Sequence, residues 1–258
     1  MSAPMVTTTI SRTENPALIR DSGKPGRDCS LCPRLAAFRN DWRAREPGWF
    51  NAPVASFGPK EARLLIVGLA PGLQGANRTG RPFTGDYAGD LLYATLTAFG
   101  FASGRYEARV DDDLVMVDAR LTNAVRCVPP ANKPLPQEIT TCRTFLQATI
   151  TEMKNLQAIV ALGRVAHESV VRALGTKLSA APFGHGHVTE IDIAEIGVVK
   201  LFDSYHCSRY NTNTGVLTPE MFRAVFSTVR ETLKKTQRRA PASQAATSAA
   251  LRSGGKTG

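Results

Sequence analysis

The sequence lacks long apolar segments and has little cysteine. No apolar run approaches the roughly 18 to 20 residues that a membrane-spanning helix needs. Residues 1–30 are polar and interrupted by three prolines, which is not the pattern of a signal-peptide core. Five cysteines in 258 residues are too few and too dispersed for a disulfide-rich scaffold. These absences predict a cytoplasmic protein with no membrane partner, in which thiols serve as buried hydrophobes, catalytic groups or metal ligands.

Acidic residues are missing from the C-terminal segment. None follows Glu231, whereas six Lys and Arg residues do, and they contribute to a formal net charge of +10. We interpret this basic tail either as a solubilising segment or as a nonspecific arm for phosphates. Residues 1–26 and 237–258 have the aperiodic polar composition of disordered chain, so one folded domain is predicted over residues 27–236.

Between these ends, short apolar runs alternate with segments of helical periodicity. Strands are predicted at residues 64–67, 114–117, 158–162 and 198–202, and helices at residues 90–99, 137–155, 165–174 and 219–234. Alternating strands and helices predict an α/β fold in which helices cover both faces of a mainly parallel sheet. Ligand sites of such folds lie in the loops that follow the strands, here residues 68–85, 122–130 and 204–218.

Four of the cysteines have a spacing that suits a metal site. Cys29 and Cys32 form a C-x2-C pair, and Cys127 and Cys142 lie far along the chain. Four thiolates can close a tetrahedral zinc site or hold a four-iron cluster. The single close pair favours the iron–sulfur cluster over a zinc ribbon, and unligated core cysteines are a third interpretation.

Two of the loops carry chemistry-bearing residues. The loop after the first sheet strand reads G-L-A-P-G and then N-R-T-G-R-P-F-T-G-D, so it combines glycines with Phe83 and Asp86. Glycine lets a ligand approach the backbone closely, and Phe83 could stack on a planar base. A phosphate loop or a plain tight turn is the alternative, although no Walker lysine follows. The other loop contains His206 at a strand exit, where functional groups collect, although a lone histidine is more often structural.

Together these motifs closely resemble the iron–sulfur uracil-DNA glycosylases, specifically family 5 (type B). The first loop, the segment T-N-A-V-R-C that ends at Cys127, the His206 segment and the order of the four cysteines all match that family. The resemblance extends from about Cys29 to Lys234. It implies a three-layer α/β/α fold with a central four-stranded sheet and a 4Fe–4S cluster held by Cys29, Cys32, Cys127 and Cys142.

The resemblance also implies roles for individual residues. Phe83 would stack on an extruded base, Asn123 would hydrogen-bond its polar edge, His206 would stabilise charge on the departing base, and Asp86 would position or activate water. The remaining implied contacts are with the base pocket, Gly68 and Ala70, and with DNA, Asn77, Arg78, Ser208, Arg209 and Tyr210. The expected substrate is DNA that contains uracil or another deaminated base such as hypoxanthine, and the expected state is a monomer.

Two features of these motifs depart from the wider pattern. Leu69 and Ala70 stand where other uracil-DNA glycosylase families place an acidic or amide residue, and Cys207 stands where this family usually has proline. No matched motif contains the nucleophilic lysine that strand cleavage would require, so a monofunctional hydrolase is predicted. The competing hypotheses are an iron–sulfur protein that binds damaged DNA without turnover, and a nucleotide-binding α/β protein without a cluster.

Overall fold

The structure is a computed structural model that describes residues 19–20 and 23–239. Most of the predicted N-terminal disordered segment, and the tail from residue 240 onward, lie outside the described residues. Ile19–Arg20 pairs antiparallel with Lys24–Pro25, just ahead of the predicted domain start. The last helix is described as far as Arg239, past the predicted domain boundary at residue 236.

Strands and helices alternate along most of the described chain. The strands are β1 Ile19–Arg20, β2 Lys24–Pro25, β3 Leu64–Gly68, β4 Ala102–Ser103, β5 Val115–Met116, β6 Ala119–Asn123, β7 Ala158–Leu162, β8 Val188–Ile193 and β9 Gly197–Ser204. The α-helices are α1 Pro33–Arg45, α2 Ala76–Thr79, α3 Tyr87–Ala98, α4 Pro136–Glu152, α5 Arg164–Ala173, α6 Arg209–Asn213 and α7 Pro219–Arg239.

The central sheet has the strand order β6-β3-β7-β9-β8. The first four strands are parallel, which confirms the α/β prediction with a mainly parallel sheet. A fifth strand, β8, adds to the four that were expected, and it pairs antiparallel with β9 at the edge. Its sequence V-T-E-I-D-I alternates with polar residues and buries only Ile191, so it lacks the continuous apolar run by which the other strands were recognised.

The prediction of a sheet strand at residues 114–117 is wrong. Only Val115–Met116 is extended there, in a two-residue ladder with Ala102–Ser103. The neighbouring strand of the central sheet is β6, which contains Arg120 and was not recognised because of its polar residues. The Arg120 guanidinium is buried and paired through its two terminal nitrogens, which donate to the carbonyl oxygen of Gly58 at 2.5 Å and to Glu152 at 2.9 Å. A paired arginine therefore replaces an apolar residue in a fully buried strand.

Successive residues of each central strand contribute to opposite faces of the sheet, as the strand period of two requires. Leu64 and Ile66 of β3 pack into one core with α3 and α7. Leu65 and Val67 pack into the other core with α4 and α5. This arrangement is the expected three-layer α/β/α structure. Among the described helices, none combines the length and the apolar composition that crossing a membrane would demand.

The helix α1 was not predicted because its sequence is rich in charge. It begins directly after Cys32 with Pro33 at its first turn, a favoured position for proline. Its buried Leu35 joins Val125 and Phe145 in a third, smaller core. The helix thereby brings the N-terminal cysteine pair to the α4 side of the sheet.

Candidate active site

A cavity of about 340 Å³ lies at the carboxyl edge of the parallel sheet. Its walls come from the loops that follow β3, β6 and β9, together with the start of α3. This is the position that a parallel α/β sheet predicts for a ligand site. The cavity collects most of the residues that the sequence analysis assigned to the base pocket, namely Ala70, Phe83, Asp86, Asn123 and His206.

Phe83 forms an aromatic wall of the cavity and is held in an unusual backbone conformation. Its φ is 53°, in the left-handed region that costs energy for a side chain of this size. The hydroxyl of Tyr106 donates to its carbonyl oxygen at 3.1 Å, and the backbone N–H of Gly85 donates to the same hydroxyl at 3.3 Å. The loop therefore fixes the ring before any ligand arrives.

Asn123 is the last residue of β6 and presents its carboxamide to the cavity. The residue is 3% exposed, and its side chain forms no hydrogen bond with any other described residue. Gly68 permits this placement: a Cβ at Gly68 would lie 2.5 Å from Oδ1 of Asn123 and would collide with the Phe83 ring. Gly68, predicted to contact the base, does not line the cavity but lies behind it and leaves room for the two side chains. A buried amide without a partner is suited to a polar ligand.

His206 lies across the cavity from Phe83, with the ring centroids 6.5 Å apart. It follows β9 by one intervening residue, and burial lowers the pKa of its imidazole. Within the described part of the chain, the ring has no hydrogen-bond partner. A neutral imidazole carries one N–H donor, and here that donor is free to serve a ligand.

Asp86 has two roles in this structure. It is the N-cap of α3, where Oδ1 accepts from the backbone N–H of Gly89 at 3.3 Å. Its other oxygen, Oδ2, lies over the glycines of the first loop: a Cβ at Gly72 would lie 3.0 Å away, and one at Gly75 would collide with it. Burial raises the pKa of Asp86, with a further contribution from Asp90, against the hydrogen bonds from the α3 backbone that lower it.

Ser208, Arg209 and Tyr210 lie at the mouth of the cavity or beyond it. Ser208 caps the short helix α6, since its Oγ accepts from the N–H of Asn211 at 3.3 Å. The Arg209 guanidinium lies 5.3 Å from the ring centroid of Tyr87, and both residues line the cavity. Tyr210 is 74% exposed and has no ring contact in the described structure. The predicted loop for DNA therefore projects from the cavity rim.

Asn77 is not placed to contact DNA, which corrects its predicted role. It is 1% exposed, and its Nδ2 donates to Oδ1 of Asn51 at 2.8 Å. Asn51 in turn donates to the carbonyl oxygens at the end of α1, so the pair joins α2 to α1. Arg78, the next residue, is exposed and lines a separate, open groove of about 510 Å³ together with Arg27 and Trp49.

The four predicted ligand cysteines come together beside the cavity. Cys32, Cys127 and Cys142 pack in the third core; burial raises the pKa values of all three thiols, and electrostatic repulsion from the nearby Cys29 adds to the rise. Among the described residues, no three candidate ligands are spaced to hold a single metal ion. Cys207 lies in the main core instead, fully buried, and its Sγ donates to the carbonyl oxygen of Ala88 at 3.5 Å.

Two buried arginines beside the four cysteines indicate that this region suits an anionic group. Nη1 of Arg39 donates to Sγ of Cys127 at 3.5 Å, and the backbone N–H of Arg126 donates to Sγ of Cys142 at 3.3 Å. Both arginines are 2% exposed, and neither forms an ion pair with a carboxylate within the described ranges. Buried cations require compensation. Four thiolates around an iron–sulfur core would supply it, so the residues fit a cluster.

Tyr106 is a contributor to the site that the sequence analysis missed. No local pattern distinguishes it, because its hydroxyl acts on a loop twenty-three positions away. The rest of its network was missed for the same reason. Arg81 forms a two-point ion pair with Asp112, with N–O distances of 2.6 and 2.7 Å, and its guanidinium lies beside the rings of Tyr93 and Tyr106.

Comparison with known proteins agrees with the geometry. The model of the uracil DNA glycosylase superfamily matches residues 55–230. The type-5 uracil-DNA glycosylase of Thermus thermophilus is 45% identical over 203 residues, which cover 76% of this chain and 90% of that protein. Those of Mycobacterium tuberculosis and Pyrobaculum aerophilum are 42% and 35% identical, and the alignments cover 77% of this chain and 75% and 86% of the relatives. This chain belongs to the uracil DNA glycosylase superfamily.

Proposed function

We propose that the protein is a uracil-DNA glycosylase that hydrolyses the N-glycosidic bond of uracil in DNA and leaves an abasic site. The observation that carries this proposal is the pocket in which an aromatic ring, an unpartnered carboxamide and an unpartnered neutral imidazole face one cavity. A planar base with polar edges can stack on the aromatic ring and form hydrogen bonds with the carboxamide and the imidazole. The names of the type-5 relatives support the same reaction.

The pocket suits recognition of an extruded base. Base flipping costs a few kcal/mol, which stacking and hydrogen bonding in the pocket must offset. Phe83 supplies the stacking surface, and Asn123 supplies one amide donor and one amide acceptor for the polar edge of the base. Because only one amide and one imidazole specify that edge, we propose that other deaminated bases such as hypoxanthine are also accepted.

The chemistry is assigned to His206 and Asp86. In the transition state the departing base gains negative charge and the sugar gains positive charge. The free N–H of the neutral His206 ring donates to a base carbonyl as that charge develops, a contribution typically worth several kcal/mol. Asp86 accepts a hydrogen bond from the attacking water, and its carboxylate favours the positive sugar. No lysine is found in the cavity wall of the described chain, which supports hydrolysis without strand cleavage.

The DNA contacts are assigned to the cavity rim. Ser208, Arg209 and Tyr210 hold the duplex open beside the pocket, and Arg78 contacts phosphate from the adjacent groove. This groove reaches the pocket through α2, because Ala76 lines the cavity and Arg78 and Thr79 line the groove. The net charge of +10 favours association with DNA of any sequence. One chain supplies every residue assigned here, so we propose that it acts as a monomer.

A 4Fe–4S cluster is proposed at Cys29, Cys32, Cys127 and Cys142. When bound, it ties α1, the loop after β6 and α4 into one corner and takes no part in the reaction. Ala70 lines the cavity and also packs against the cysteine corner, so the cluster would support the wall of the pocket. About four irons per chain are expected in the purified protein. Stoichiometric zinc without iron would exclude the cluster.

The deciding experiment measures abasic-site formation by the purified, iron-loaded protein on a duplex with a single U·G pair. We expect full cleavage of the strand after alkali and none before it. His206→Ala should lower the single-turnover rate by roughly a hundredfold or more and leave DNA affinity nearly unchanged. The control is the matched duplex with a C·G pair, on which no abasic site should form.

Other outcomes separate the alternatives. Strand scission without alkali would show that the monofunctional assignment is wrong. Tight binding to the U·G duplex without any abasic product, in protein of full iron content, would replace the enzyme by a damage-binding protein.

A further inference from the structure

The side chain and the backbone of His206 are held very differently. The ring has no hydrogen-bond partner among the described residues, whereas the peptide groups around it are fixed in succession. The carbonyl oxygen of Ser204 accepts from Gly163 N–H at 2.8 Å, and that of Tyr205 accepts from Ser204 Oγ at 2.9 Å. Two further anchors come from side chains outside β9, those of His185 and Asn211.

His185 anchors the chain on the N-terminal side of His206. The backbone N–H of Tyr205 donates to Nδ1 of His185 at 3.2 Å, and the two rings stack with centroids 5.0 Å apart. Because a backbone N–H can only donate, Nδ1 must be unprotonated, and the ring is neutral with its proton on Nε2. His185 therefore holds the strand exit through both a hydrogen bond and a ring contact.

Asn211 anchors the chain on the other side. Its Nδ2 donates to the carbonyl oxygen of His206 at 2.8 Å. Asn211 is itself held, because its N–H donates to Ser208 Oγ and its carbonyl oxygen accepts from the N–H of Leu217 at 3.0 Å. The amide that fixes His206 therefore belongs to a short helix whose position is already determined.

We propose that His185 and Asn211 are positioning residues that clamp the backbone on both sides of His206 and aim its free ring at the departing base. The inference rests on the proposed glycosylase function. The acceptor nitrogen of the neutral His206 ring could take an orienting hydrogen bond while the N–H stays free, but it has no partner among the described residues. Orientation must then come from the backbone, and a misplacement of about 1 Å can lower a rate a hundredfold.

The first test compares two substitutions of His185. His185→Leu removes the acceptor, and we expect the single-turnover excision rate to fall about tenfold while the dissociation constant for uracil-containing DNA changes less than twofold. His185→Asn places an amide oxygen near the former Nδ1 position and should restore the rate to within about threefold of wild type. His187→Leu, at an exposed histidine of the same segment, is the matched control and should leave both quantities unchanged.

The second test uses two asparagines of one helix. Asn211→Asp replaces the donor with an acceptor that faces the His206 carbonyl oxygen, so the excision rate should fall at least tenfold. Asn213→Asp adds the same negative charge at an exposed position two residues later and reports any general loss of DNA attraction. The clamp predicts that only the first substitution lowers the rate at saturating DNA.

A third measurement does not depend on activity. The ¹⁵N relaxation of the amides of residues 205–207 should report a rigid backbone in wild type and lower order parameters in His185→Leu and Asn211→Asp. An inactive wild type with this pattern would contradict the proposed function and leave the clamp standing. The clamp itself is overturned if both variants excise within twofold of wild type, or if the loss lies in DNA affinity alone.

Discussion

Two groups of buried and half-buried polar residues adjoin Phe83, and they differ in how they are paired. In one, Arg81, Asp112, Tyr93 and Tyr106 satisfy one another and the loop: the ion pair has two contacts, and Tyr93 donates to the carbonyl oxygen of Pro82 at 2.6 Å. In the other, the side chains of Asn123 and His206 have no partner in the described structure.

The difference indicates which buried groups serve the fold and which serve a ligand. A buried polar group without a partner costs about 1 to 3 kcal/mol, so folding alone gives no reason to retain one. Paired groups offset that cost and rigidify their surroundings. The network around Arg81 should therefore govern the stability of the fold, whereas Asn123 and His206 should govern the rate of uracil excision.

The largest effect is expected where the paired network is broken. Asp112→Ala leaves the Arg81 guanidinium, 6% exposed, without its counter-ion, and should lower the free energy of unfolding by about 3 to 5 kcal/mol. Denaturant unfolding at pH 7 measures this loss. Arg105→Ala is a suitable control, because that guanidinium is 82% exposed and its ion pair should contribute little.

The Arg81–Asp112 ion pair should also make the stability of the protein depend on pH. The hydrogen bond from Arg81 lowers the pKa of Asp112 from 3.8 to about 2. The folded-state pKa is depressed, so this stabilisation is present above the unfolded value near 3.8 and is lost as the pH falls through about 2. The stability difference between wild type and Asp112→Ala should therefore shrink between pH 4 and pH 2. A constant difference over that window would contradict the pairing.

The unpaired group should show the opposite pattern. Asn123→Ala removes a buried amide that bonds to nothing in the described protein, so the unfolding free energy should change by less than about 1 kcal/mol. Excision of uracil should nevertheless fall by roughly a hundredfold, because the base edge loses its hydrogen bonds. Thermal unfolding and single-turnover excision on the same preparations give both numbers. A variant that is destabilised but still active would show that Asn123 contributes to the stability of the fold and not to excision.

Of these two groups of residues, only the unpaired residues of the pocket could be predicted from the sequence. The pocket residues Phe83, Asp86, Asn123 and His206 lie in motifs that resemble those of a known family, and that resemblance predicted them as site residues. The network around Arg81 joins segments up to 31 positions apart through side chains that no local pattern relates. The strand β6 was missed for a related reason, because the partners that allow Arg120 to be buried are distant in sequence.

Asp86 serves both the fold and the site, since it caps α3 and faces the cavity. Asp86→Asn keeps an oxygen for the cap and should leave stability nearly unchanged, because asparagine and aspartate cap equally well. The excision rate should fall about tenfold through loss of the charge. Because burial raises the pKa of Asp86, the rate in wild type should decline with falling pH above the range of an exposed aspartate. Asp86→Asn should remove that acid limb, and a profile unchanged in shape would assign the limb elsewhere.

A smaller effect is expected where the paired network meets the pocket. Tyr106→Phe removes only the hydroxyl that bridges Phe83 and Gly85, and should cost about 1 kcal/mol of stability. Excision should fall several-fold, because Phe83 at φ 53° is then held less firmly. Tyr93→Phe removes a hydroxyl that bonds Pro82 instead, and should cost similar stability with less effect on excision. Equal effects on excision would mean that the bridge to Phe83 has no special role.

The smallest effect is expected at Cys207, which lies beside His206 but has its own partner. Its thiol is fully buried in the main core, apart from the core that holds the other cysteines, and burial raises its pKa to about 12, which disfavours the nucleophilic thiolate. Cys207→Ser keeps a donor for the carbonyl oxygen of Ala88, and iron content and excision should stay within about twofold of wild type.

Cys207→Pro removes no backbone hydrogen bond to another described residue. Proline also fixes φ, which gains about 0.4 to 1 kcal/mol where the native geometry permits it. We therefore expect this variant to retain its iron and to excise as fast as wild type or several-fold faster. Loss of iron or of excision in Cys207→Ser would show that the thiol has a chemical role in the site.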